Sequence, residues 1–233
     1  MKVASRTETR HFRPHQYLAH ASEVQDAIYR IDEGWACRFR LLPDGRRQIT
    51  ALFVPGDYCE PQWALGEPAA QSITALTNVR ARPIPCRGYD LLEGQRTDLS
   101  IHLIRSMIAS INRQSDWIVS LGRKSAIERL SELFCEMFDR MRRAGLAYGD
   151  QCALPLTQVD LADVTGLTAV HVNRVLQELR DRGLIELHSK WLRIPDLDAL
   201  RELAVLPFVP TGEPRRESNL AVNMAHTEFV HTA

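Results

Sequence analysis

The sequence predicts an α+β chain in three successive parts: a strand-rich region, one long helix, and a pair of short helices closed by a hairpin. Three observations carry this prediction. Apolar residues alternate with period two across residues 27–53, they recur every three to four residues from about Asp90 to Ser120, and two helix-start signals bracket a glycine between Thr157 and Thr168.

Composition bounds what such a chain can do. Lys plus Arg and Asp plus Glu number 29 each, so any surface for a polyanion must be local. The five cysteines, at 37, 59, 86, 135 and 152, contain no Cys-x-x-Cys pair, which argues against a zinc site or a disulfide framework and for free thiols in a reducing cytosol. The first ten residues lack the apolar core of a signal peptide, and no stretch approaches the roughly 20 apolar residues of a membrane span. The expectation is a cytoplasmic chain with no membrane partner.

In chain order, 27–31 leads to Gly34, and 35–41 alternates as a half-buried strand does. Pro43-Asp44-Gly45 is a strong turn signal, after which 48–53 resumes the alternation. Pro55-Gly56-Asp57 turns the chain again, and 72–76 and 79–84 are the last two strand candidates. The period then becomes helical, through Leu99, Leu103, Met107, Ser110, Gln114 and Trp117 or Ile118, with Ile111 extending the apolar stripe. Such a stripe, without nearby strands to cover it, predicts packing on a second copy of the chain. Packing back on the chain's own strands is the alternative. Gly122-Arg123-Lys124 separates this helix from the next, 125–143, which turns Ile127, Leu130, Leu133, Phe134 and Phe138 inward.

The most informative stretch is 156–180. Thr157 is a good N-cap with Asp160 three residues on, Gly166 ends the first helix, and Thr168 caps a second. In that second helix Val172, Val175, Leu176 and Leu179 make one buried face. Its other face carries Ala169, His171, Asn173, Arg174, Gln177 and Arg180, a donor-rich surface about the width of a DNA major groove. After Gly183, the apolar runs 184–187 and 191–194 flank the polar turn His188-Ser189-Lys190, which reads as a hairpin wing. Five cations face three acidic residues between Thr168 and Arg193, a modest basic excess. After Leu206 prolines accumulate and periodicity fades, so 206–233 reads as a mobile tail.

The run from Leu154 to Ile194 resembles the winged-helix domain of the CRP/FNR family of bacterial transcription regulators. The matching pieces are Asp160-Leu161-Ala162, Thr165-Gly166-Leu167-Thr168, His171-Val172-Asn173-Arg174-Val175-Leu176, Leu179 and Gly183-Leu184-Ile185. The resemblance covers about residues 20–205. It implies an N-terminal β-roll, like a cyclic-nucleotide-binding domain, over 1–95, a dimerisation helix over 96–122, and a winged helix-turn-helix over 123–205. The function so implied is a homodimeric, sequence-specific DNA-binding regulator that is not an enzyme. Its partners would be double-stranded DNA, at an inverted-repeat promoter site read by a recognition helix 168–182, and RNA polymerase.

The expected DNA-binding residues are Thr157, Thr168, Ala169, Val170, His171, Asn173, Arg174, Gln177 and Lys190. Arg174 matches the family arginine that reads guanine, whereas Val170 stands where the family carries a glutamate. Val170 cannot accept from a cytosine amino group but can pack on a thymine methyl. Family members that bind a cyclic nucleotide use a Gly-Glu and an Arg-Ser pair. Here Pro61 falls at the glutamate and Gln71 at the arginine, so the charge-assisted bond to the phosphate is missing and no cyclic nucleotide is expected. No cysteines cluster before Cys37 for an iron-sulfur centre; His11, His15, His20 and His102 are candidate haem ligands but read as surface or hydrogen-bonded residues, and the His-x-His pair of a cupin-like metal site is absent. The expectation is therefore no cofactor and no metal, with the effector open and the cysteines, Cys152 above all, as candidates for a redox switch. Two other function classes are a metal-dependent enzyme on the β-roll, which would need converging ligands, and a protein-interaction module, which would show no sequence-selective DNA retention.

Overall fold

The computed structural model describes residues 8–86 and 98–205. The expected tail, 206–233, and the first turns of the helix expected from about Asp90 lie outside the described residues.

The first half forms eight strands: β1 (Arg10–Phe12), β2 (Tyr17–Ala19), β3 (Ala27–Glu33), β4 (Ala36–Leu41), β5 (Arg47–Phe53), β6 (Tyr58–Cys59), β7 (Ser72–Ala75) and β8 (Val79–Pro85). They pair antiparallel in two four-stranded sheets, β1-β8-β3-β6 and β2-β7-β4-β5. The period-two pattern was a good guide because each sheet turns one face to Ile28, Ile31, Phe53, Trp63, Ile73 and Ala75, which are almost fully buried. The short strands β1, β2 and β6 lack enough residues to show a period, and a 3-10 turn over Pro61–Leu65 was not anticipated. Between β3 and β4 the chain needs Gly34. Its φ is +82°, and a Cβ there would sit 2.0 Å from the carbonyl oxygen of Asn78. In the Pro55-Gly56-Asp57 turn, the Asp57 carboxylate accepts the amide of Val54 at 2.7 Å.

The long helix is α1 (Asp98–Arg123), followed by α2 (Ala126–Arg143), at whose start the Ser125 amide donates to the Glu128 carboxylate at 2.6 Å. Part of the stripe expected to meet a second copy packs within the chain. Leu103 is fully buried in the core of the two sheets, Leu99 packs beside it, and Trp117 packs against α2 and donates to Glu136 at 2.7 Å. Ile111 and Ile118 of that stripe face solvent together with Ile104 and Ile108. Strands lie near α1 after all, and a helix that is apolar on two faces leaves the choice of face to tertiary packing.

The last part contains β9 (Ala147–Tyr148), β10 (Gln151–Ala153), α3 (Gln158–Thr165), α4 (Ala169–Asp181), β11 (Glu186–His188), β12 (Trp191–Arg193) and α5 (Leu197–Leu203). The sheet β11-β12-β10-β9 gives the wing a base of two short strands that the sequence did not reveal. Cys152 of β10 and Leu192 of β12 point into the core from this sheet. That core does not stop at the end of α1. Trp35, Cys37, Ile49, Leu52 and Val54 from the strand-rich half belong to one apolar cluster with Leu133, Phe134, Met137, Leu161, Val164 and Leu176.

Candidate nucleic-acid interface

The two short helices are built by their caps. The Thr157 hydroxyl accepts the amide of Asp160 at 3.1 Å, and the Asp160 carboxylate accepts the amide of Thr157 at 3.0 Å and its hydroxyl at 2.7 Å. This reciprocal box satisfies donors that the first turn of α3 would otherwise leave open. At the other end Gly166 takes φ +66° and closes the helix with a bond to the Ala162 carbonyl. The Thr168 hydroxyl then accepts the amide of His171 at 3.2 Å and starts α4. Both cap hydroxyls are thus held by the backbone.

Val172, Val175, Leu176 and Leu179 bury one face of α4, as their spacing predicts. The opposite face presents Val170, 83% exposed, with Asn173, Arg174 and Gln177, and half-exposed Ala169 and His171 beside them. Among the described residues Arg174 has no hydrogen-bond or ion-pair partner. Glu178, four residues on, pairs with Arg182 instead. Asn173 accepts from Gln158 at 3.4 Å, which ties the start of α3 to the exposed face of α4. Arg180 leaves that face. Its guanidinium donates to the Leu187 carbonyl at 3.3 Å and fastens the wing to α4.

The wing itself is tighter than expected. His188 pairs directly with Trp191, so the turn has two residues, and both Ser189 and Lys190 adopt positive φ, 48° and 68°. This is the conformation of a two-residue hairpin whose twist matches its strands. It leaves Lys190 exposed at the tip, while the Lys190 carbonyl accepts the amide of Leu154 at 2.8 Å and anchors the tip to the segment leading into α3. The nine expected residues therefore lie on a capped helix pair and a wing that are linked through Gln158–Asn173 and Leu154–Lys190.

Two contributors escaped the sequence reading. Arg47 on β5 places Nη2 at 2.7 Å from Asp160 and Nε at 2.6 Å from Asp163, and Gln48 donates to the Val164 carbonyl at 3.1 Å. The sequence carries no local signal for contacts across more than 110 positions.

Elsewhere, a cleft of about 250 Å³ lies between the strands and α1, lined by Arg38, Phe53, Tyr58, Glu60, Gln62 and Met107 among others. Its polar groups engage one another. Arg38 donates to Glu60 at 2.6 Å and to the Thr50 hydroxyl at 3.0 Å, and that hydroxyl donates to Gln71 at 2.6 Å. Cys37, Cys59, Cys135 and Cys152 are buried, and burial pushes the thiols of Cys37 and Cys135 up to about 12 and that of Cys152 up to about 11. Burial also raises Cys59 and the half-exposed Cys86. Cys152, nearest the reading helices in sequence, is thus held as an inert thiol. Among the described residues no three His, Cys, Asp or Glu gather as metal ligands, and no helix is long and apolar enough to cross a membrane.

With this geometry in view, similarity to known proteins is specific. Residues 128–203 match the Crp-like helix-turn-helix domain, and residues 9–87 match the cyclic nucleotide-binding domain. The chain is 29% identical to the nitrogen fixation regulation protein FixK of Azorhizobium caulinodans over 182 residues, 78% of this chain and 73% of that one. It is 27% identical to the fumarate and nitrate reduction regulatory protein of Escherichia coli over 190 residues, 81% and 75% of the two chains. Among solved structures, FixK2 from Bradyrhizobium japonicum superposes with a TM-score of 0.74 at 25% identity, covering 84% of this chain and 96% of that one.

Proposed function

The chain belongs to the CRP/FNR family of transcription regulators and carries that family's helix-turn-helix DNA-binding domain, and from this premise we propose that it acts as a homodimer on an inverted-repeat promoter site without a cyclic nucleotide. The observation that carries DNA reading is the unpartnered Arg174 on the exposed face of α4, between the capped start of α3 and the Lys190 wing tip. An arginine with nothing to bond inside the protein presents its full fork to the paired acceptors of guanine. Val170 beside it adds an apolar contact for a thymine methyl. Thr157, Thr168, Ala169, His171, Asn173 and Gln177 complete the contact set, with Lys190 on a phosphate.

The dimer contact in this reading is the solvent row of α1. Ile104, Ile108, Ile111 and Ile118 follow spacings of four, three and seven, the heptad seam of two helices lying side by side. Two-fold symmetry then requires an inverted repeat whose half-site centres lie about 10 base pairs apart. The boundaries 1–95, 96–122 and 123–205 describe the parts, with RNA polymerase as the second macromolecular partner and the cytoplasm as the site of action. Among the described residues that line the cleft beside α1 the cation is Arg38, which Glu60 engages, and Gln71 carries no charge, which supports a reading without a cyclic nucleotide.

Selection of bound duplexes from a random pool, without added nucleotide, tests the reading. Enrichment of an inverted repeat with that spacing is the expected result, together with a dimer in sedimentation. Unstructured enrichment, a monomer on DNA, or a tenfold gain in affinity with cyclic AMP would each overturn the corresponding part.

A further inference from the structure

The first helix of the reading pair carries two carboxylates, Asp160 and Asp163, on a helix whose N-cap, Thr157, belongs to the DNA-contact set proposed above. Uncompensated, they would repel phosphates and weaken the favourable field of that helix end. Neither is uncompensated. One guanidinium, Arg47, reaches both, at 2.7 Å and 2.6 Å, and among the described residues it is the cation paired with either. It comes from the other half of the chain. Arg47 is itself held, with its guanidinium 5.9 Å from the ring centre of Phe39 and three quarters of its side chain covered. Gln48 beside it grips the C-terminal turn of α3 through the Val164 carbonyl.

We propose that Arg47 is a positioning residue of the DNA interface: it neutralises Asp160 and Asp163 and fixes α3 against β5, so that the strand-rich half sets the affinity of the reading head. Asp160 is also the partner of Thr157 in the cap of α3, so the same carboxylate joins the start of that helix to the strands. Displacement of β5 would free two negative charges on the helix that Thr157 starts. The fork acts through α3, not by touching DNA.

This inference rests on DNA binding, and wild-type retention of the selected duplex tests that separately. The distinguishing set is Arg47→Ala, Arg47→Lys, Asp163→Asn, and Arg47→Ala with Asp163→Asn, measured for affinity, salt slope and melting temperature. Arg47→Ala is expected to weaken specific binding about tenfold, more at low salt than at high salt because the freed charges are screened. Asp163→Asn in that background should restore most of the loss, and Arg47→Lys should retain part of the affinity by keeping the charge. Lower melting with unchanged affinity would make Arg47 merely structural and overturn the proposal. So would a slope reduced by about 0.9 that Asp163→Asn does not rescue, because that marks a direct phosphate contact. Should Arg47→Ala not fold, Arg47→Lys with and without Asp163→Asn poses the same question: a loss that Asp163→Asn relieves supports the role, and no loss or an unrelieved one overturns it.

Discussion

The cations buried beside the strands and those exposed on the helix-turn-helix are used in opposite ways. Arg38 and Arg140 are nearly buried, the first engaged by Glu60 and Thr50, the second by Asp57, Glu136 and the Leu52 carbonyl at 2.7 Å. Arg174 and Lys190 stand in solvent with no side-chain partner among the described residues. A buried guanidinium with both amino groups engaged holds elements together, whereas an exposed one with an idle fork is available to a ligand. In the proposed function the difference separates the residues that build this molecule from those that address DNA.

The sharpest way to break this contrast is at Arg140. Arg140→Ala leaves Asp57 and Glu136 without their buried partner, and a broken buried pair costs about 3–5 kcal/mol. Chemical denaturation should show that loss, with the base preference of the surviving folded protein unchanged. Arg174→Ala should do the reverse. Its expected effect is a loss of about 1–3 kcal/mol of discrimination at one G·C pair in each half-site, with the denaturation midpoint unmoved, and binding that falls equally for matched and mutated sites would refute base reading. Lys190→Ala should weaken matched and unmatched DNA alike and lower the salt slope by about 0.9, as titrations at several salt concentrations would read.

The smallest expected effect concerns the thiols. Because burial raises their pKa values, the thiolate fraction of Cys37, Cys59, Cys135 and Cys152 at neutral pH is below that of a free thiol. Alkylation of the folded protein at neutral pH should begin at half-exposed Cys86, and mild peroxide should leave DNA affinity unchanged. Modification of Cys152 ahead of Cys86, followed by mass spectrometry, would overturn this.

What the sequence revealed followed from local chemistry. β4 and β5 were legible because Pro43-Asp44-Gly45 separates two period-two runs, and α3 and α4 because Thr157, Gly166 and Thr168 punctuate them. Two-residue strands such as β6 and β9 carry no period, and the two-residue wing turn has Ser189 and Lys190 at positive φ, where the usual residues are glycine or asparagine. The covered and open faces of α1 could not be told apart because Leu103 and Ile104 are both apolar, and only the strands nearby decide which is covered. The Arg47 fork was invisible for a simpler reason, since its three members become neighbours only after folding.

The apolar cluster that runs from Trp35 and Ile49 to Leu161 and Leu176 bears on how the reading head can move. A head on a swivel would have to withdraw these side chains into water at every excursion, at roughly 25 cal/mol for each Å² exposed. The two halves should therefore melt in one calorimetric transition, with equal van't Hoff and calorimetric enthalpies. Signals between them would travel as small shifts of a packed joint, of the sliding kind seen between interlocked helices, not as the free rotation of two tethered bodies.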